Sequence, residues 1–124
     1  MLDFTEFQIR IGHLCERIFG NEIPKDKTER NHRFLEEALE LVQALGCTKS
    51  EAHQLVDYVY GREAGDYYQE CGGVLTTFAA LCNAHSISME QAALVEESRI
   101  SRPEIMEKIR KKQAAKPKLS PLPQ

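Results

Sequence analysis

Glu36, Glu37 and Glu40 stand within five residues of one another, in the run Phe34-Leu35-Glu36-Glu37-Ala38-Leu39-Glu40-Leu41-Val42. On a helix, side chains three and four residues apart share a face, so all three carboxylates can project toward one place. Each like-charge pair at that spacing costs an isolated helix about 0.2–0.5 kcal/mol. The position is mid-helix, where the macrodipole gives little relief. No lysine or arginine lies between Arg33 and Lys49 to neutralise them. A hard divalent cation, Mg²⁺ or Mn²⁺, would remove the repulsion, because clustered carboxylates without sulfur suit such ions. The competing reading is a solvated acidic face on a surface helix. Apolar residues on both sides of the glutamates argue against it by placing them near a packed surface.

A further carboxylate, Glu70, opens another helix, with Asp66 four residues before it. Carboxylates from facing helices are how helical bundles build metal sites. One turn before the acidic run stand Arg30, Asn31, His32 and Arg33. Arg30 and Arg33 suit phosphate oxygens in a fork geometry, or else pair with Glu36 and Glu37. Asn31 suits a base edge or a ligand position, and His32 reads as a hydrogen-bonded side chain. Eight of the 16 basic residues fall between Arg99 and Lys118, among them Lys108 and Lys112. They suit a lid that brings positive charge to a polyphosphate, or a solvated helix end stabilised by cations. Tyr58, Tyr60, Tyr67 and Tyr68 suit core or interface packing better than stacking on a purine.

These residues need rigid elements, and nearly every segment reads as helix. Phe4, Phe7, Ile11, Leu14, Cys15 and Ile18 recur at intervals of three and four, predicting a helix over 4–19 stopped by Gly20 and Asn21. A second helix is expected from about Thr28 to Leu45, with Gly46 beyond its end. Thr48-Lys49-Ser50-Glu51 matches a capping box and opens a third, to about Tyr60. A fourth is expected over 66–85. A fifth opens at the box-like Ser88-Met89-Glu90-Gln91, with a kink or restart at Pro103. The three prolines between Lys116 and Gln124 predict an extended tail. No strand shows period-two alternation. The fold class expected is all-α, an antiparallel four- to five-helix bundle: one helical domain over 1–115 and a tail over 116–124.

Composition sets the outer bounds. At 124 residues the chain fits one domain, and 28% charged with 42% hydrophobic residues argues against general disorder. A formal net charge of −3 excludes a generally basic nucleic-acid coat. The longest nearly apolar stretch, Val74 to Ala84, is too short and too polar to span a bilayer. Acids near Met1 argue against an export signal, so a cytoplasmic location is expected. The four cysteines lack C-x-x-C spacing and read as buried, reduced thiols. No Ser-His-Asp arrangement or glycine-rich phosphate loop is evident.

The run Arg30-Asn31-His32-Arg33-Phe34-Leu35-Glu36-Glu37-Ala38-Leu39-Glu40-Leu41-Val42-Gln43-Ala44, with Gln69-Glu70-Cys71-Gly72-Gly73-Val74 later, resembles the all-α, MazG-like nucleoside triphosphate pyrophosphohydrolases. It is most similar to their small dATP/dGTP diphosphohydrolase branch, which includes the phage MazZ enzymes. Arg110 to Lys116 looks like that branch's C-terminal segment, and the resemblance covers about residues 14 to 118. It implies cleavage of a purine (deoxy)nucleoside triphosphate to the monophosphate and pyrophosphate, with two or three Mg²⁺ or Mn²⁺ ions. Glu36, Glu37, Glu40 and Glu70 are the implied ligands, with Glu37 alternatively orienting the attacking water. Arg30, Asn31, Arg33, Lys108 and Lys112 are the implied substrate contacts, and a homodimer or homotetramer is implied. The family's second motif has an aspartate where this chain has Gly73, and Asp66 or a water is the candidate replacement. Two other readings compete. A carboxylate-bridged di-iron bundle would need Glu-x-x-His on two helices, and the chain has only Glu29-x-x-His32. The other is a non-catalytic helical module that binds a nucleotide or a protein.

Overall fold

The computed structural model describes residues 1–115; the tail expected over 116–124 lies outside them. Among the described residues there are six α-helices and no strand. The helices are α1 (Phe4–Phe19), α2 (Lys27–Ala44), α3 (Lys49–Tyr60), α4 (Tyr67–Ala84), α5 (Met89–Ile100) and α6 (Pro103–Ala114), with a 3₁₀ turn at Ile23–Lys25. Pro103 restarts the chain as a separate helix, so the expected fifth helix is two. The residues group into two compact units, Met1–Arg33 with Ser88 onward, and Phe34–Ile87.

Local chemistry sets most helix ends. Asp3 caps α1 by accepting a hydrogen bond from the Glu6 amide, and Gly20 stops it at φ +81°. Thr48 and Glu51 form the full capping box of α3. At α5 only half of the expected box is made: the Ser88 hydroxyl accepts from the Gln91 amide. α2 ends in a Schellman turn, with Gly46 at φ +94°, its amide donating to Gln43 O and the Cys47 amide to Val42 O. α4 ends the same way, but Ser86 takes the left-handed position at φ +55°. The Ile87 amide donates to Cys82 O and the Ser86 amide to Asn83 O. No sequence signal marks a serine for that role.

In the first unit the predicted stripe of α1 meets α6. Leu14 and Ile18 pack with Met106, flanked by the partly buried Ile11, Phe19, Ile100 and Ile109. Arg110 locks the pair: its Nε donates to Ile18 O and its Nη2 to Arg17 O, both at 2.9 Å. Those are carbonyls of the last α1 turn, which the helix itself leaves unpaired. Arg10 and Glu97 add a bidentate bond between α1 and α5, at 2.7 and 3.0 Å. The hydrogen bond from Arg10 holds the Glu97 carboxyl below its usual pKa. A depressed folded pKa contributes stability above the unfolded value, about 4.3, and loses it as pH falls through the folded value. Arg10→Ala is therefore expected to raise the Glu97 midpoint to the ordinary carboxylate range and to abolish that acid-side dependence. NMR titration of the Glu97 carboxyl checks it; an unmoved midpoint refutes it.

The second unit contrasts with the first. Phe34, Leu35 and Leu39, expected to place the glutamates near a packed surface, are all exposed. So are Leu55, Val56, Tyr58, Val59 and Tyr60 on α3, and Tyr67, Tyr68, Val74 and Leu75 on α4. Helical periodicity places such residues on a face but does not say that anything covers it. The four tyrosines are not core residues in this chain. Arg62 instead lays its guanidinium over the Tyr58 ring, 4.2 Å from the centroid.

Candidate functional site

The three glutamates sit on the Phe34–Ile87 part of α2. Glu37 and Glu40 are exposed and Glu36 is half-buried. Glu36 and Glu40 are four residues apart on a continuous helix, so they rise from the same side. Glu70 lies in the first turn of α4, is exposed, and has Oε1 close against Gly65. A Cβ at Gly65 would come within 2.8 Å of that oxygen, so this glycine lets the loop pass beside the carboxylate. Among the described residues no group of three or more His, Cys, Asp or Glu side chains stands close enough to hold a metal ion. Carboxylates are the donor type that hard ions such as Mg²⁺ or Mn²⁺ prefer, but these four are not brought together here.

Asp66 has another task. It is the N-cap of α4, and its Oδ2 accepts from the Gln69 amide at 2.9 Å. Leaving the cap to take a ligand position would cost about 1 kcal/mol of helix stability. Gly73, where the resembled motif carries aspartate, is an interior residue of α4 with open space around it.

Of the proposed substrate contacts, Arg30, Asn31 and Arg33 stand on the Met1–Arg33 part of α2. Arg33 Nε is 3.1 Å and Arg30 Nη2 3.7 Å from Glu29 Oε1. Glu29 is the one charged side chain fully buried among the described residues, at 6% exposure. Arg30 also lies over the Phe19 ring, 5.4 Å from its centroid. Asn31 is exposed. His32, expected to be hydrogen-bonded, has its Nδ1 buried without a hydrogen-bond partner. Lys108 and Lys112 are exposed, one turn apart on α6.

The role of Glu29 was legible but overlooked. Glu29 and Arg33 are at i and i+4, the favourable orientation for an ion pair. Asp26 three residues earlier supplies the turn, accepting the Glu29 amide at 3.1 Å. The cysteines are all free thiols, but their burial differs from expectation: Cys82 is buried, Cys15 and Cys47 are half-buried, and Cys71 is exposed. Burial pushes the Cys15 thiol up, only partly offset by the nearby Arg30 charge, which keeps it protonated at neutral pH. No described helix is long and apolar enough to cross a membrane. Compared with protein-family models, with curated proteins and with solved structures, the chain gives no match.

Proposed function

We propose that this chain is a metal-dependent hydrolase of a purine (deoxy)nucleoside triphosphate, dGTP or dATP, yielding the monophosphate and pyrophosphate. The observation that carries the reading is Glu36, Glu37 and Glu40 on one unbroken helix, with Glu37 and Glu40 open to solvent. Arg30 and Arg33 lie one to two turns before them. The resemblance of this run to the MazG-like pyrophosphohydrolases supports the same reaction.

In this reading Glu36, Glu37, Glu40 and Glu70 hold Mg²⁺ or Mn²⁺. When bound, such ions neutralise a triphosphate, polarise phosphorus and lower the pKa of a water. Glu37 alternatively stands outside the ligand set, orients the attacking water and takes up its proton. Arg30 and Arg33 bind phosphate oxygens, Asn31 reads the nucleoside, and Lys108 and Lys112 add positive charge on the polyphosphate. Positioning and charge stabilisation suffice for this reaction type, with no covalent nucleophile. The protein acts in the cytoplasm as a homodimer or homotetramer.

The test is incubation with each dNTP and NTP in the presence of Mg²⁺ or Mn²⁺. The expected result is pyrophosphate and monophosphate from a purine substrate. Release of orthophosphate, or no turnover, overturns the reading. Asp66 engaged as a helix cap and Gly73 in place of an aspartate favour a second reading, a nucleotide-binding module without catalysis. Nucleotide retained in equilibrium dialysis without pyrophosphate release is its signature.

A further inference from the structure

The start of α2 is fixed beside the end of α1 by local bonds. Gly20 stops α1, and Asp26 then opens α2: its carboxylate accepts the Glu29 amide at 3.1 Å and its carbonyl the Arg30 amide at 3.0 Å. Arg110 holds the carbonyls of Arg17 and Ile18, just before Phe19. Phe19 is partly buried against the α1–α6 core, and the Arg30 guanidinium lies over its ring, 5.4 Å from the centroid. All of these residues belong to the first unit.

Buried side-chain polar atoms without a hydrogen bond are confined, among the described residues, to the first two turns of α2. Arg30 Nε and Nη2 are two of them, and Glu29 Oε1 is another. Arg30 Nη2 stands 3.7 Å from that oxygen, within reach of its charge but beyond a hydrogen bond. Arg33 Nε is nearer to it, at 3.1 Å, and the Arg33 side chain is 15% exposed against 31% for Arg30. Buried donors ordinarily find acceptors, so donors left over on a partly exposed arginine point to a ligand.

The two contacts that hold Arg30 leave its directed N–H groups uncommitted. An aromatic ring attracts the face of a guanidinium, and a carboxylate at 3.7 Å attracts its charge. The planar fork of N–H groups then remains for an oxyanion, and it matches two oxygens of one phosphate group. A side chain already held in place also loses less freedom on binding than a mobile one. We propose that Phe19 and Glu29 are positioning residues for Arg30, holding it ready to take two oxygens of one phosphate group in a polyphosphate. The proposal rests on the polyphosphate-binding part of the function given above and is independent of the hydrolysis.

Glu29 gives the test a sign. It is an anion beside an anion site, so by charge alone its removal would tighten phosphate binding. As a positioning residue, its removal loosens binding. The full chain and its variants are titrated by calorimetry with inorganic pyrophosphate at one fixed concentration of Mg²⁺. Arg30→Gln is expected to weaken binding about tenfold or more, the effect of losing a charge-assisted contact. Glu29→Gln is expected to weaken it about three- to tenfold, and so is Phe19→Leu, which keeps an apolar side chain beside the core but removes the ring. Phe19→Tyr restores the ring and is expected within about twofold of the wild type. Circular dichroism establishes that each variant is folded; where Glu29→Gln does not fold, the Phe19 pair decides. A wild-type chain that does not bind pyrophosphate overturns the proposal. So does equal binding by Phe19→Leu and Phe19→Tyr, or a folded Glu29→Gln variant that binds as tightly as the wild type or more so. Pyrophosphate bound in the expected order by a chain that cleaves no nucleotide counts against the hydrolase reading alone.

Discussion

Glu37→Gln is expected to lower the rate of pyrophosphate release by about 10²–10⁴-fold, the usual contribution of a positioned general base. The substitution keeps the shape of the side chain and nearly the same helix propensity, so α2 should survive it. Glu37 is exposed, so the substitution leaves the buried core untouched. A loss of folding is therefore the wrong explanation for a loss of rate, and circular dichroism checks that directly. The form of the loss assigns the role. A fall in kcat at constant KM and constant metal requirement marks the group that orients water. A fall that added Mn²⁺ restores marks a ligand instead. Full activity in the variant removes Glu37 from the mechanism.

Met106→Ala is expected to destabilise the chain by about 2–5 kcal/mol, with a fall in Tm of about 10 °C or more. The reason is the size of the core. Only Leu14, Ile18, Cys82 and Met106 are fully buried apolar side chains among the described residues, and three of them form one cluster. Met106 fills the space between two α1 residues, and an alanine leaves a cavity that α1 and α6 can close only by losing the Arg110 bonds to Ile18 O and Arg17 O. Val95→Ala on exposed α5 is the control, expected within about 0.5 kcal/mol of the wild type. Thermal unfolding of both variants at one protein concentration, needed because association would shift Tm, decides the matter. A Met106 effect no larger than that of Val95 refutes this account of the core.

The candidate site was readable in sequence to the extent that its chemistry is local. The i, i+4 relation of Glu36 and Glu40 needs only a helix, and α2 is one. The structure adds Glu29 to the carboxylates beside the arginines. Glu29, Glu36 and Glu37 all lie within four residues of Arg33, and spacing alone does not distinguish a carboxylate that burial will select from one that solvent will keep. Glu29 is the buried one. The use of Asp66 as a cap was likewise implicit in its position just before α4, where an aspartate side chain competes for a free amide.

Helix existence and most helix ends followed from the chain alone, because they depend on groups no more than four or five residues apart, a capping oxygen or a glycine at positive φ; that Pro103 is a full restart and that Ser86 ends α4 were decided by the structure. Which apolar stripes are covered did not follow. Leu14 and Ile18 are buried because Met106 and Arg110, about 90 positions away, come to lie on them, whereas Phe34, Leu35, Tyr67 and Tyr68, equally apolar in pattern, meet nothing in their own unit that covers them. Periodicity records that a face wants a partner. Contacts between residues far apart in sequence, or between chains, decide whether it has one.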